Sequence, residues 1–182
     1  MANYGTVSGA DAYHLAAGNT AWTGTNEVKL AALVRASQYV DALALEHRNN
    51  GSVFTRFSGV KTAGRGQMLS WPRAGAYDVE GTAIAENVVP IEVESATYEA
   101  ALRELVQPGY LSPDYVPAQT IKREKVDVLE TEYMDMADHN RQNKHPRLHL
   151  DNPQQPISTL IRSIIAPLIV AWGANDVGVM VV

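Results

Sequence analysis

The chain has 182 residues, of which 46% are hydrophobic and 19% charged, and its formal net charge is -5. This composition is typical of one globular domain with extensions and is sufficient for a buried core. The absence of cysteine excludes disulfides and thiolate zinc sites. The longest apolar run, 164–174, is interrupted by Pro167 and is too short for a membrane span, and we expect no signal peptide at the N-terminus.

Two helices are predicted in the first part of the chain. A short one covers 10–17, with Ser8 or Asp11 as its cap. A longer one begins near residue 25 and continues to about His47. Apolar and small residues recur in it at helical spacing and predict a buried stripe. The stripe consists of Leu30, Leu33, Val34, Ser37, Val40, Leu43 and Ala44.

Residues 49–89 are rich in glycine and show no sustained period, which predicts loops with short turns or strands. Pro90 then occupies a position that the first turn of a helix tolerates. This third helix should end near Pro108. Its predicted buried face consists of Ile91, Ser95, Tyr98, Leu102 and Leu105.

The last third of the chain predicts a strand or hairpin arm over 120–134 and a mobile polar loop over 135–155. Ser158 or Thr159 caps a last helix, which Pro167 kinks or ends. We therefore predict a mainly α fold, a small helical bundle with a β-hairpin, long loops and an extended C-terminal tail. One domain covers 1–170, including the loop region 49–89 and the hairpin region 120–155, and an extension covers 171–182.

A basic window lies between Glu46 and Asp78, where no acidic residue occurs although the chain is acidic overall. One interpretation is that the window binds single-stranded nucleic acid through phosphate contacts and base stacking. The other is that its aromatic residues are core residues that anchor a long loop, with Arg73 binding carbonyls or an acid. In both interpretations the five positive charges stay available to phosphate. The basic and aromatic residues are Arg48, Arg56, Lys61, Arg65, Arg73, Phe54, Phe57, Trp71 and Tyr77.

An acidic block follows the basic window directly. It is either a solvated helix face or a surface that meets the basic loop of a neighbouring copy. The block consists of Asp78, Glu80, Glu86, Glu92, Glu94, Glu99 and Glu104. The apolar C-terminal tail has two interpretations as well, an edge strand within the domain or a segment that binds a partner.

No pattern of catalytic residues is present. His145 and His149 have the spacing of helical metal ligands, but Pro146 lies between them and no further ligand completes a site. His14 and His47 are interpreted as structural. No nucleophile elbow, phosphate loop or dinucleotide fingerprint occurs. We therefore expect a protein that is not an enzyme and that uses no metal or cofactor.

Five short motifs occur in a characteristic order: Asp-Ala-Tyr-His at 11–14, Ala-Ser-Gln-Tyr-Val-Asp at 36–41, Leu-Ser-Trp-Pro-Arg-Ala-Gly at 69–75, Ile-Lys-Arg-Glu-Lys-Val at 121–126 and Ile-Ala-Pro-Leu at 165–168. Together they resemble a family of tailed-phage and prophage proteins labelled "putative DnaT-like single-stranded DNA-binding protein". That family is similar to the head–tail adaptors, or connectors, of the phage neck. The resemblance covers roughly 8–170.

The resemblance implies a helical domain with a β-hairpin that assembles into a ring of about a dozen copies by closed heterologous contacts. Such a ring joins the portal protein to a tail-side stopper or tail terminator, and genome DNA passes through it with transient, non-specific contact. The location implied is the neck of the virion, after assembly in the host cytoplasm, without a membrane partner. The alternative function is a single-stranded nucleic-acid-binding module that uses residues 47–77.

Three sets of residues follow from this comparison. Adaptors of the family dock on the portal with a C-terminal extension, and the position of the tail predicts the same here for Trp172, Val177, Val179, Met180, Val181 and Val182. DNA-facing or inter-subunit contacts are expected at Arg48, Arg56, Lys61 and Arg65. A structural motif is expected at Trp71, Pro72, Arg73 and Gly75.

Overall fold

Helices α1 to α4 form the centre of the fold. The computed structural model describes residues 2–47, 53–112, 123–126, 129–132 and 158–170. The helices are α1 Val7–Ala16, α2 Asn26–Leu43, α3 Ile91–Val106 and α4 Thr159–Ile165. Helix α3 is central, since it packs against each of the other three. The prediction of a mainly α fold with small hairpins is confirmed, while the predicted tail lies outside the described residues.

Small side chains dominate the buried faces of α2 and α3. Ala36, Ala96 and Ala100 are fully buried, together with Leu33 and Val93. Alanine at a helix contact allows two backbones to approach closely, since the axial distance depends on the side chains between them. This packing of α2 on α3 forms the main part of the core.

Both N-terminal helices differ from prediction at one end. Helix α1 begins three residues earlier than expected, because the Thr6 hydroxyl accepts a hydrogen bond from the Gly9 N–H at 2.9 Å and caps the helix. Ser8 and Asp11 are therefore not caps. Helix α2 ends at Leu43 rather than near His47, because residues 45–47, directly after the cap residue Ala44, form a strand.

The predicted buried faces of α2 and α3 are partly wrong. Leu33, Val40 and Tyr98 are buried as expected, whereas Leu30 is 45% exposed and Ile91 is 67% exposed. The prediction assigned the buried faces to large apolar residues, whereas alanine and threonine form much of the faces that are buried. Because alanine is weakly hydrophobic, its spacing gives a weak periodic signal. The buried residues of α2 and α3 that the prediction missed are Ala32, Ala36, Tyr39, Val93, Ala96, Thr97, Glu99, Ala100, Ala101 and Glu104.

Four two-stranded antiparallel sheets lie in the described ranges. Two come from the segment 49–89 that was predicted as loops with short strands, and the fourth lies in the predicted hairpin 120–134. The remaining one pairs a strand of that segment with residues 45–47, which were predicted as the end of the second helix. The pairs are β1 Leu45–His47 with β2 Val53–Thr55, β3 Val60–Lys61 with β4 Arg73–Ala74, β5 Ala76–Tyr77 with β6 Ala83–Ile84, and β7 Arg123–Val126 with β8 Leu129–Glu132. The predicted polar loop 135–155 lies outside the described residues.

The C-terminal helix has the predicted signals. The Ser158 hydroxyl accepts a hydrogen bond from the Ile161 N–H at 3.4 Å, and Pro167 lies in the 3₁₀ turn Ala166–Leu168 that follows α4. Beyond this turn, Ile169 pairs with Phe57 in an antiparallel bridge. None of the helices in the described ranges has the length and apolarity needed to cross a bilayer.

His14 joins α1 to α3. Its buried ring donates from Nε2 to the Tyr98 carbonyl at 3.1 Å, and its Nδ1 lies 3.1 Å from the Asn19 amide nitrogen. These partners require the neutral ring, with Nε2 protonated and Nδ1 accepting. The Trp22 ring lies beside it at a centroid distance of 4.6 Å. Burial lowers the pKa of His14, so His14 is a structural residue as expected.

We predict that wild-type stability falls as the pH is lowered from 7 to 5. The pKa of His14 is lower in the folded protein than in the unfolded chain, so the unfolded chain binds the proton first as the pH falls below about 6.5. The stabilisation that neutral His14 provides is therefore present above that pH and is lost below it. Urea denaturation should show a loss on the order of 1 kcal/mol. His14→Gln should have a flatter pH dependence over the same interval. Equal slopes for both proteins would contradict this role.

Candidate interaction site

The basic window and the start of the acidic block form one structural unit, which we call the arm and define as residues 58–84. It consists of two hairpins in series, β3–β4 and β5–β6. Only Gly75 separates strand β4 from strand β5. The stretch 73–77 therefore contributes β4 to the first hairpin and β5 to the second. Gly59 sits where an added Cβ would meet the Ala74 carbonyl, and its φ of 67° also favours glycine. The two strands of the first hairpin therefore approach each other closely.

Arg73 fixes the base of the arm from inside. Its side chain is buried, and Nε donates to the Ser58 carbonyl at 2.6 Å. Its two Nη groups donate to the carbonyls of Ser70, Phe57 and Gly59. A guanidinium suits this position because it has five donors in a fixed planar fork. The expectation that all five charges of the window stay available to phosphate is wrong for Arg73.

The aromatic residues of the arm's base belong to the core. Phe57 is 1% exposed and Trp71 is 3% exposed, and their rings meet edge to face at a centroid distance of 5.5 Å. Trp71 precedes a cis peptide bond to Pro72. Because both rings are covered, neither can stack on a nucleic-acid base. The stacking interpretation is therefore wrong for Phe57 and Trp71, and the anchoring interpretation describes them correctly.

A second anchor joins the arm to α2 and to the N-terminus. The Tyr4 hydroxyl donates to Asp41 Oδ1 at 2.6 Å, and Asp41 Oδ2 accepts from the Ser70 N–H at 2.8 Å. The Trp71 N–H donates to the Tyr4 oxygen at 3.0 Å. Burial raises the pKa of Asp41, and it raises that of Tyr4 far above its usual value. Asp41 belongs to one of the motifs noted in the sequence, but nothing in the sequence indicated its pairing with Tyr4.

The basic tip of the arm, which we define as residues 60–68, is closed by its own hydrogen bonds. Lys61 Nζ donates to the Gln67 carbonyl at 3.0 Å, and the Gln67 side chain binds both Thr62 and the Pro72 carbonyl. Arg65 lies in an exposed 3₁₀ turn at the end of the tip. The tip therefore presents its cationic end in a defined conformation.

The acidic tip of the arm, which we define as residues 78–82, is the turn between β5 and β6. Asp78 closes it, because its carboxylate accepts from the N–H groups of Glu80 and Thr82 at 2.9 and 2.8 Å. Val79 donates its N–H to the Pro167 carbonyl at 2.8 Å, which fixes the turn against the 3₁₀ turn after α4. Glu80 is exposed.

Two members of the acidic block are not on a solvated face, contrary to the first interpretation of that block. Glu104 is 2% exposed and binds Arg35 Nη1 at 2.6 Å and the Gly109 N–H at 2.9 Å. Glu99 is 8% exposed and accepts from Tyr13 and from Arg103. The two carboxylates thus join α3 to α1, to α2 and to the turn that follows α3. Of the rest of the block, Glu80 and Glu86 are exposed, and Asp78, Glu92 and Glu94 are half-buried.

The remaining predicted site residues are placed as follows. Arg56 is half-buried, and its backbone binds the Ala44 carbonyl on one side and the Val170 N–H on the other. Arg48 and the predicted portal-docking residues of the tail, Trp172, Val177, Val179, Met180, Val181 and Val182, lie outside the described residues. Among the residues that the structure describes, no group of three or more metal-ligating side chains is found.

Comparison with known proteins gives one match. The profile of the family described as "Putative DnaT-like ssDNA binding protein" matches residues 2–181. No significant match is found among curated proteins or among solved structures. Because the profile covers nearly the whole chain, including the arm and its anchors, the chain belongs to the family of putative DnaT-like ssDNA-binding proteins.

Proposed function

We propose that this protein is a structural head–tail adaptor of a tailed-phage neck. Copies of the chain form a ring, about a dozen in number, that joins the portal protein to a stopper or tail terminator. Genome DNA passes through the lumen of this ring. The protein acts by assembly in the virion neck, after folding in the host cytoplasm, and it performs no catalysis and needs no cofactor.

The observation that carries this proposal is the way the arm is held. Arg73 binds four backbone carbonyls, and the Tyr4–Asp41 pair binds the N–H groups of residues 70 and 71. The most distinctive residues of the basic window are thus used to fix its conformation rather than to contact a ligand. A surface segment with a fixed conformation suits an assembly contact, because little conformational entropy is lost when it binds.

The contacts of Ile169 and Val170, which directly precede the tail, support a docking role for residues 171–182. Val170 is buried, and its N–H donates to the Arg56 carbonyl at 3.1 Å beside the Phe57–Ile169 bridge. The apolar tail thus starts from a fixed position on the domain. Its sequence contains Trp172 and a run of valines, which suit insertion into a partner's apolar groove or addition to a sheet edge.

Deletion of residues 172–182 tests this function. We expect the truncated protein to lose binding to the portal protein of the same phage, and to keep its far-ultraviolet circular dichroism and its urea midpoint. A matched variant carries a Gly/Ser segment of the same length in place of 172–182, which separates the effect of the apolar side chains from that of length. Portal binding by both variants at wild-type strength would contradict the docking role.

Electron microscopy of the wild-type protein with and without portal tests the ring. Rings of uniform size coaxial with the portal are expected. Wild-type protein that neither binds portal nor forms rings in its presence would refute the adaptor function.

A second candidate function, binding of single-stranded nucleic acid, is favoured by the description of the family. Titration of a labelled oligonucleotide at low and moderate salt tests it. Affinity that falls steeply with salt and is lost in Arg65→Glu, but not in Glu86→Lys, would support this function. The adaptor function predicts weak binding with little dependence on Arg65.

A further inference from the structure

We propose that neighbouring copies of this chain contact each other head to tail through the arm, with the basic tip of one copy against the acidic tip of the next. This inference rests on the proposed ring and names the surface that would build it. The partner at both tips is thus a second copy of the same chain.

The two tips have complementary charge. No acidic residue occurs over 47–77, and no lysine or arginine occurs over 74–102, so the sign of the charge changes within the arm. At the exposed surface this leaves Arg65 on the basic tip, and Glu80 on the acidic tip with Glu86 shortly after it. Opposite charge at the two surfaces favours their encounter and sets their register.

Each tip also exposes apolar side chains beside its charge. Val60 and Met68 on the basic tip are each 67% exposed, and Val79 on the acidic tip is 58% exposed. Apolar side chains next to charged ones provide both parts of a protein interface, a desolvated centre and a polar rim. Single exposed apolar residues are common on proteins, but here they occur on both of the complementary tips.

The positions of the tips decide what kind of contact follows. The loop of the first hairpin precedes β4 and the turn of the second follows β5, so the tips lie at opposite ends of the stretch 73–77. Gly75, whose φ is 64°, turns the chain between the two hairpins. Since the tips belong to different hairpins, the proposed contact uses a different surface on each of the two copies. Contacts between two different surfaces are heterologous, and they propagate or close into a ring.

Charge reversal tests the pairing of the tips, with self-association measured by sedimentation velocity at low ionic strength. Arg65→Glu alone and Glu80→Lys alone should each weaken association at least about tenfold, since each brings like charges together. An equimolar mixture of the two variants should recover association, because each reversed tip then meets a tip of opposite charge. Leu15→Lys, at a site that is 83% exposed on α1, is the control and should behave as wild type.

Chemical cross-linking tests the same contact where association is transient. The chain has no cysteine, so each introduced thiol is unique. With a bismaleimide reagent, Met68→Cys mixed with Val79→Cys should give dimers, and the double variant should give a ladder of oligomers. Leu15→Cys and each single variant alone should give only background. A double variant that cross-links no better than Leu15→Cys would overturn the inference.

The outcomes separate this inference from the proposed function. Portal-bound rings that persist unchanged in Arg65→Glu and in Glu80→Lys would overturn the tip-to-tip contact and leave the adaptor function standing. The double cysteine variant could give a ladder while the wild-type protein neither binds portal nor forms rings. That result would support the contact and refute the adaptor function. Association that stays at the wild-type level in both single variants and in their mixture would also overturn the contact.

Discussion

Replacing Arg73 by alanine is expected to destabilise the fold by about 3–5 kcal/mol, because several buried carbonyls lose their donor at about 1–3 kcal/mol each. The carbonyls belong to Phe57, Ser58, Gly59 and Ser70, and Arg73 is itself 3% exposed. Urea denaturation followed by circular dichroism and by tryptophan fluorescence measures the loss. The fluorescence should report release of the arm, since Trp71 is packed at its base.

Three further variants identify the cause. Arg73→Met keeps most of the side-chain volume, so a loss close to that of alanine assigns the effect to the hydrogen bonds. Arg73→Lys should be intermediate, because an ammonium group lacks the planar fork. Arg65→Ala, in the exposed tip of the same arm, should change stability by less than about 0.5 kcal/mol. A loss below about 1 kcal/mol in Arg73→Ala would mean that the arm is not held by this residue.

Glu104→Gln should cost about 2–3 kcal/mol at pH 7, the usual range for hydrogen bonds to a charged group. The carboxylate accepts from Arg35 Nη1, from the Gly109 N–H and, at 3.3 Å, from the Leu111 N–H. It therefore satisfies N–H groups of the chain that follows α3 as well as an arginine from α2. The amide of glutamine is neutral and offers a single acceptor oxygen, so these bonds cannot all be kept.

The pH dependence of this loss is fixed by the sign of the pKa shift. Burial raises the pKa of Glu104, but the hydrogen bonds from Gly109, Arg35 and Leu111 outweigh it, and the folded pKa lies below its ordinary value. The stabilisation is therefore present above about pH 4.5 and is lost as the pH falls through the folded pKa. The difference between wild type and Glu104→Gln should shrink from pH 7 to pH 3.5. A constant difference would contradict the role of the charge, and Glu86→Gln, at an exposed site, serves as the control.

Local signals in the sequence predicted several elements correctly, because each depends on a few neighbouring residues. The Ser158 cap, the end of α4 near Pro167 and the hairpin within 120–134 are of this kind. The prediction was wrong where distant contacts decide. Helix α2 stops at Leu43 because β1 pairs with β2, and that pairing joins residues six to ten positions apart.

The candidate site shows the same division. The change of charge sign after residue 77 is visible in the sequence, and it falls inside the arm. What each residue does was not predictable, because Arg73 and Arg65 are eight positions apart in one basic window yet one is buried and the other exposed. Which of two arginines becomes a structural anchor depends on the carbonyls that the folded backbone brings around it.

The sequence by itself determined the class of the fold, the order of its elements and the segment with reversed charge, since composition, periodicity and local capping control these. The tertiary structure alone decided the use of that segment. Burial made Arg73, Trp71 and Phe57 into anchors. It also made Glu99 and Glu104 the partners of groups on α1, on α2 and in the turn after α3. The physical reason is that a buried charge or polar group must find its hydrogen-bond partners wherever the chain brings them, which only the complete fold specifies.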